Sequence, residues 1–160
     1  MGGQIRILLV AILLAACSPS APEPGPIAAD AWIRAVPPGA GMTAGYLTIS
    51  NPGRRDLDLI QITSPDFGKI EMHSTIMEGG MARMRREPLV PVPAGSEVVF
   101  SPGGRHLMLF RPAGPLADGD GIGLTLTFAP SGRATGDERI TVAAQAVVRR
   151  GNAAQGKQHH

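Results

Sequence analysis

Two imidazoles and two thioethers, His73, Met84, His106 and Met108, are spaced as H-x10-M-x21-H-x-M in a chain that holds four histidines and seven methionines. Thioether sulfur is a soft, neutral donor that competes poorly for Zn²⁺, Mg²⁺ or Ca²⁺, whereas imidazole serves several metals. The mixture therefore selects monovalent copper, Cu(I). Taken singly, each residue has a bland reading: a methionine in a β protein usually fills core, and a single histidine usually hydrogen-bonds at the surface. The conjunction is what points to a ligand set.

Strands must position these side chains. In RHLMLF, residues 105–110, positions two apart project from one face, so His106 and Met108 can reach one ion while Leu107 and Leu109 point the other way. Phe110 continues the His106 face, either to cover a metal or to join the packed interior. In KIEMHSTI, residues 69–76, Ile70 and Met72 share one face and Glu71 and His73 the other, which assigns Met72 to the core. Gly79-Gly80 predicts a hairpin that returns Met84 toward His73. Met77 and Met81, in the same region, are read as packing residues, a landing site for copper being the other use of their sulfur. Met42 has no assigned place.

The rest of the chain has the same rhythm. Short apolar or alternating runs at 31–36, 43–50, 56–63, 69–76, 81–86, 97–101, 105–110, 122–129 and 139–148 are separated by turn residues, with 21 Gly and 15 Pro as punctuation. No stretch carries a helical period. This pattern suits an all-β sandwich or Greek-key barrel rather than a βαβ fold. Asn51-Pro52-Gly53 and Ser101-Pro102-Gly103-Gly104 are its clearest turns. At 160 residues with a mean hydropathy of +0.06, the chain supports one ordinary core, assigned to residues 30–150.

The flanks read differently. Residues 1–16 combine Arg6 with an apolar run ending in Leu14-Ala15-Ala16, which is an export signal too short to span a bilayer. Cys17, the single cysteine, follows it as in a bacterial lipobox and is the expected lipidation site, and its solitude excludes an internal disulfide. Residues 17–29, with four prolines in SPSAPEPGP, form a lipid anchor and tether. Residues 151–160, GNAAQGKQHH, read as a flexible tail in which His159 and His160 are solvated, tag-derived or an auxiliary metal-capturing arm. Without residues 1–16 the formal charge falls from +2 to +1, and aromatics are only 4%, so nucleic acid is excluded as a partner. Arg83, Arg85 and Arg86 are read as a solvated strand face, with an acidic-partner docking patch as the alternative.

With Met72 before His73, the four-residue spacing resembles the signature of the periplasmic copper chaperone family called PCu(A)C, and the likeness extends from about Trp32 to Val148. The resemblance implies a cupredoxin-like β-barrel that binds Cu(I) near its surface through His73, Met84, His106 and Met108. It also implies delivery of copper to the CuA centre of cytochrome c oxidase, directly to that subunit or through a thiol-bearing assembly factor, from a lipid-anchored position facing the periplasm. The His-ended tail is similar to the metal-rich extensions of some family members but is short and lacks methionine.

Three rivals are weighed against this reading. An electron-transfer cupredoxin needs a Cys thiolate, and Cys17 belongs to the processing site. A metal-dependent hydrolase needs three His or carboxylate ligands and a general base; Glu71 beside His73 is read instead as a solvent-exposed strand residue, so no enzyme is expected. A metal-free β-sandwich lipoprotein acting as an envelope interaction module would dock through the Arg83–Arg86 strand or a sheet edge. Because imidazole coordinates only when neutral, copper retention is expected to weaken as pH falls through the ordinary histidine range, about 6.5.

Overall fold

The computed structural model describes residues 23–132 and 138–150. The export segment, Cys17, the first part of the tether, and the tail with His159 and His160 lie outside the described residues. Among those described there are ten strands and no helix: β1 (Ile27–Arg34), β2 (Met42–Asn51), β3 (Leu57–Thr63), β4 (Phe67–Glu78), β5 (Met81–Glu87), β6 (Val90–Val92), β7 (Ser96–Phe100), β8 (Arg105–Pro112), β9 (Gly121–Pro130) and β10 (Ile140–Arg149).

Period-two alternation makes them strands. In β9, Ile122, Leu124, Leu126 and Phe128 are buried while Thr125 and Thr127 turn outward, and in β8 Leu107 and Leu109 are buried on the inner face. All ten belong to one sheet in the order β5-β4-β8-β2-β1-β10-β9-β3-β6, with β7 beside β8 along the same edge of β2. Only β1 and β10 pair in parallel. The sheet curls so that β3 meets β4 and β6 meets β7, which encloses a core including Ile33, Ile49, Leu59, Leu107, Leu109, Leu126, Phe128 and Val148. This is the expected all-β, cupredoxin-like fold.

Two turns set the ends of β4, β5 and β8. Gly79 and Gly80 have φ of 59° and 79°, so a two-residue turn closes the β4–β5 hairpin through backbone angles that side chains disfavour. At Ser101–Gly104 the Gly104 amide donates to the Ser101 carbonyl at 3.0 Å with Gly103 at φ 82°, and this turn feeds the chain into β8.

The structure departs from the sequence reading at two places. β1 begins at Ile27, within the segment assigned to the tether: Ile27, Ala28 and Ala29 pair with Ser50, Ile49 and Thr48, and Glu23 accepts from the Arg54 amide and pairs with Arg55. A bulge at Asp30, φ 52°, carries the strand through what reads as a polar break, and Ala28 packs against the core. β6 was not expected, because three residues are too few to show alternation; Val90 and Val92 are nonetheless fully buried on either side of Pro91.

Candidate metal centre on the outer face of β5, β4 and β8

At one end of the sheet β4 and β8 turn one face to the core and the other outward, and β5, exposed along nearly its whole length, continues them as the edge strand. Met72 and Leu107 are register partners on the inner face. One residue along, His73 lies directly opposite His106, and residues directly opposite in an antiparallel pair share a face. Their ring centroids are 6.0 Å apart, inclined at 38°. Metal–imidazole bonds are about 2 Å, so an ion bridging two rings holds their centroids about 5–6 Å apart. The spacing already fits.

Met108 is the next outward residue on β8, opposite Glu71 on one side and Ala44 of β2 on the other. Met84 is opposite Thr75, so it stands on the same face, one pleat beyond His73 toward the hairpin and on the edge strand. The two imidazoles and Met108 are therefore close neighbours in the ladder. Met84, 66% exposed, extends into solvent at the opposite corner from Met108.

Hydrogen bonding prepares the imidazoles unequally. Nδ1 of His106 lies 3.0 Å from the Gly104 carbonyl oxygen, an acceptor that calls for the proton on Nδ1 and leaves Nε2 bare. The same carbonyl accepts from the Thr75 amide at 3.2 Å, so the turn before β8 is tied across to β4. His106 is 7% exposed, which confines its ring. Nε2 of His73 lies 3.0 Å from Glu71 Oε2, and its Nδ1 is buried without a hydrogen-bond partner. A buried polar atom without a partner is uncommon in folded proteins and calls for a reason.

Glu71 is the residue that sequence reasoning undervalued. Expected to be solvent-exposed, its side chain is only 11% exposed and meets three donors: Lys69 at 2.6 Å, His73 at 3.0 Å and Arg86 at 3.3 Å. The hydrogen bond from Lys69 and then that from His73, aided by the charges of Lys69 and Arg86, lower its carboxyl to about 2. The signal was present in Glu-x-His, which puts both groups on one face of a strand.

Two methionines fall outside their expected role. Met77 and Met81, read as packed, are 69% and 60% exposed, because the β4–β5 hairpin runs past the end of the core and has nothing to pack against. Phe110 is half-buried on the outer face with the Lys69 ammonium 5.9 Å from its ring, and Met42 lies opposite it on β2. Arg83 and Arg85 both pair with Glu78, and Arg86 with Glu71, so the basic strand is largely neutralised by its own hairpin partner. On the inner face, Arg105 holds Glu87 through a two-point fork of 2.5 and 3.0 Å, which clamps β5 to β8 across β4 and raises the guanidinium's affinity for its proton. Among the described residues, no group of three or more His, Cys, Asp or Glu is placed to hold a metal.

Comparison with known proteins gives a consistent picture. A family described as "Putative lipoprotein LpqE-like" matches residues 28–143. A protein of Leifsonia xyli subsp. xyli, "Putative lipoprotein Lxx21020", is 33% identical over 99 residues, covering 61% of this chain and 58% of that protein. The chain thus spans little more than half the length of that relative. Among solved structures, the Cu(I) form of DR1885 from Deinococcus radiodurans is 28% identical with a TM-score of 0.59, covering 78% of this chain and 77% of the other. The copper-bound PCuAC domain from PmoF2 superposes with a TM-score of 0.62 at 24% identity, covering 82% and 97%, a likeness of fold. The chain accordingly belongs to the LpqE-like family and carries the PCuAC fold.

Proposed function

We propose that this domain is a copper chaperone that binds Cu(I) through His73, Met84, His106 and Met108 and passes it on for assembly of the CuA centre of cytochrome c oxidase. The observation that carries the reading is the His73–His106 pair, with ring centroids 6.0 Å apart, an orphaned buried Nδ1 on His73, and Met108 and Met84 on the same face. Two nitrogens and two thioethers make a soft, neutral set suited to Cu(I). The solved copper(I) form of DR1885, a protein of the same fold, supports the metal and its oxidation state.

The placement of the donors suits carriage rather than catalysis. His106 and Met108 are fixed by one strand in the middle of the sheet, whereas Met84 sits exposed on an edge strand. A recipient's donor displaces Met84 first and then the inner ligands in turn, so copper moves by ligand exchange without any bond-breaking chemistry. The recipient is the oxidase CuA subunit or a thiol-bearing assembly factor. Lipid attachment at Cys17, in keeping with the lipoprotein description of the family, holds the domain at the membrane facing the periplasm.

The test is Cu(I) titration under reducing conditions with a chromogenic competitor, combined with X-ray absorption on the loaded protein. One equivalent bound with equal numbers of sulfur and nitrogen neighbours is expected, and His106→Ala loses that uptake. Because His106 is nearly buried, Met84→Leu serves as a second variant that leaves the fold alone and still lowers affinity. An interaction module without metal would show no stoichiometric uptake in any variant, and that result would refute the chaperone reading.

A further inference from the structure

We infer that Glu71 is a positioning residue that fixes the tautomer of His73, so that His73 meets Cu(I) through Nδ1 while His106 meets it through Nε2. This deepens the chaperone reading and rests on it. Donor and acceptor capacity fixes the tautomer. An ionised carboxylate only accepts, so the 3.0 Å contact between Glu71 Oε2 and His73 Nε2 requires the proton to sit on Nε2. A neutral imidazole with its proton there has a bare Nδ1, and this is the buried nitrogen that lacks a partner.

At His106 the assignment is reversed. The Gly104 carbonyl 3.0 Å from Nδ1 is likewise an acceptor only, so the proton sits on Nδ1 and Nε2 is bare. The paired rings thus use opposite nitrogens. One is fixed by a carboxylate on its own strand, the other by a main-chain carbonyl in the turn before β8.

Glu71 is itself held from two sides. Lys69, two residues earlier on β4, contacts Oε1 at 2.6 Å, and Arg86, opposite His73 on β5, reaches the same oxygen at 3.3 Å. These leave Oε2 for the imidazole. Metal-binding histidines commonly donate their second N–H to a carboxylate, which orients the ring and strengthens the donor nitrogen. The arrangement here differs from a chance surface pair in that both carboxylate oxygens are engaged and the opposite ring nitrogen is left buried.

Two-bond ¹H–¹⁵N correlation spectra of the full domain, before and after one equivalent of Cu(I), decide the matter, because Cu(I) is diamagnetic and each ring nitrogen reports its own state. Apo protein should show His73 protonated at Nε2 and His106 at Nδ1, and Cu(I) should shift Nδ1 of the first and Nε2 of the second. In Glu71→Ala the His73 tautomers should mix and Cu(I) affinity fall by about ten- to a hundredfold. Glu71→Gln, whose amide oxygen can still accept from Nε2, should restore the tautomer and most of the affinity. A purely structural role for Glu71 would lower thermal stability in Glu71→Ala without redistributing the His73 proton. Cu(I) bound through Nε2 of His73 would overturn the role given to Glu71 alone, and no response of either imidazole to Cu(I) would overturn the chaperone reading as well.

Discussion

Leu107 and Met108 are neighbours in sequence on opposite faces of β8, and exchanging them separately should split stability from copper binding. Leu107 is fully buried, so Leu107→Ala should cost about 2–5 kcal/mol through lost transfer energy and the cavity left behind. In a domain of this size that lowers the apo Tm by roughly 10–20 °C. Met108 is half-buried on the outer face, and Met108→Leu keeps volume while removing sulfur, so its apo Tm should stay within a few degrees of wild type. The increment gained from copper runs the other way. With free Cu(I) buffered at about 100 times Kd, binding stabilises the wild type by about 2.7 kcal/mol. A tenfold loss of affinity in Met108→Leu leaves about half of that, whereas Leu107→Ala retains the full increment below its lower Tm. Circular dichroism melts with and without buffered Cu(I) read both quantities. Equal apo destabilisation by the two variants, or a Leu107→Ala protein that is folded but gains nothing from copper, would show that the face assignment of β8 is wrong.

Other consequences are open to direct measurement. Removing the Arg105 fork by Arg105→Ala should cost about 1–2 kcal/mol, since charge-assisted bonds here are only partly shielded from water, and Arg105→Lys should not restore it because one ammonium cannot reproduce the two-point contact; full rescue by lysine in denaturant melts would contradict the clamp. The double variant Met77→Ala, Met81→Ala should leave apo stability within about 0.5 kcal/mol, as both side chains stand in solvent, and a larger loss would mean that the hairpin packs after all. Glu71 titrates near 2 in the folded protein and near 4.5 when unfolded, so its contribution to stability is complete above 4.5 and disappears as pH falls toward 2. Apo melts from pH 5 to 2 should therefore fall more steeply for wild type than for Glu71→Gln, and parallel curves would remove the proposed ion-pair network.

Much of this was legible because strand periodicity and ladder geometry are local rules. The pleat alone placed His106 and Met108 together and sent Leu107 and Leu109 inward, and the glycine pair at 79–80 fixed the hairpin that sets β5 against β4. Tertiary features were less accessible. Whether Met77 and Met81 are packed depends on how far the hairpin outruns the core, and the exposure of an edge-strand thioether is not encoded in its spacing from His73. Glu71 was discounted because an isolated strand glutamate is usually solvated. Its neighbours Lys69 and His73 were visible on the same face, but the third partner, Arg86, arrives only through the β4–β5 register.

The division of the donors between a rigid strand and an exposed edge bears on direction of transfer. If all four proposed ligands were held as firmly as His106, a recipient would have to break a preorganised shell, and release would be slow however favourable the final affinity. If all were as exposed as Met84, copper would be lost to any competing thiol. The sheet arrangement gives one imidazole tied to a main-chain carbonyl, one tied to an ion-paired glutamate, one thioether fixed by the pleat, and one thioether free in solvent. Exchange should then be sequential from the β5 side. Met84→Leu should accelerate transfer to a thiol acceptor more than it weakens equilibrium binding, while His106→Ala should chiefly weaken binding. Stopped-flow transfer to a chromogenic acceptor measures the difference, and equal effects of the two substitutions on rate and affinity would show that no donor is set apart as the exit.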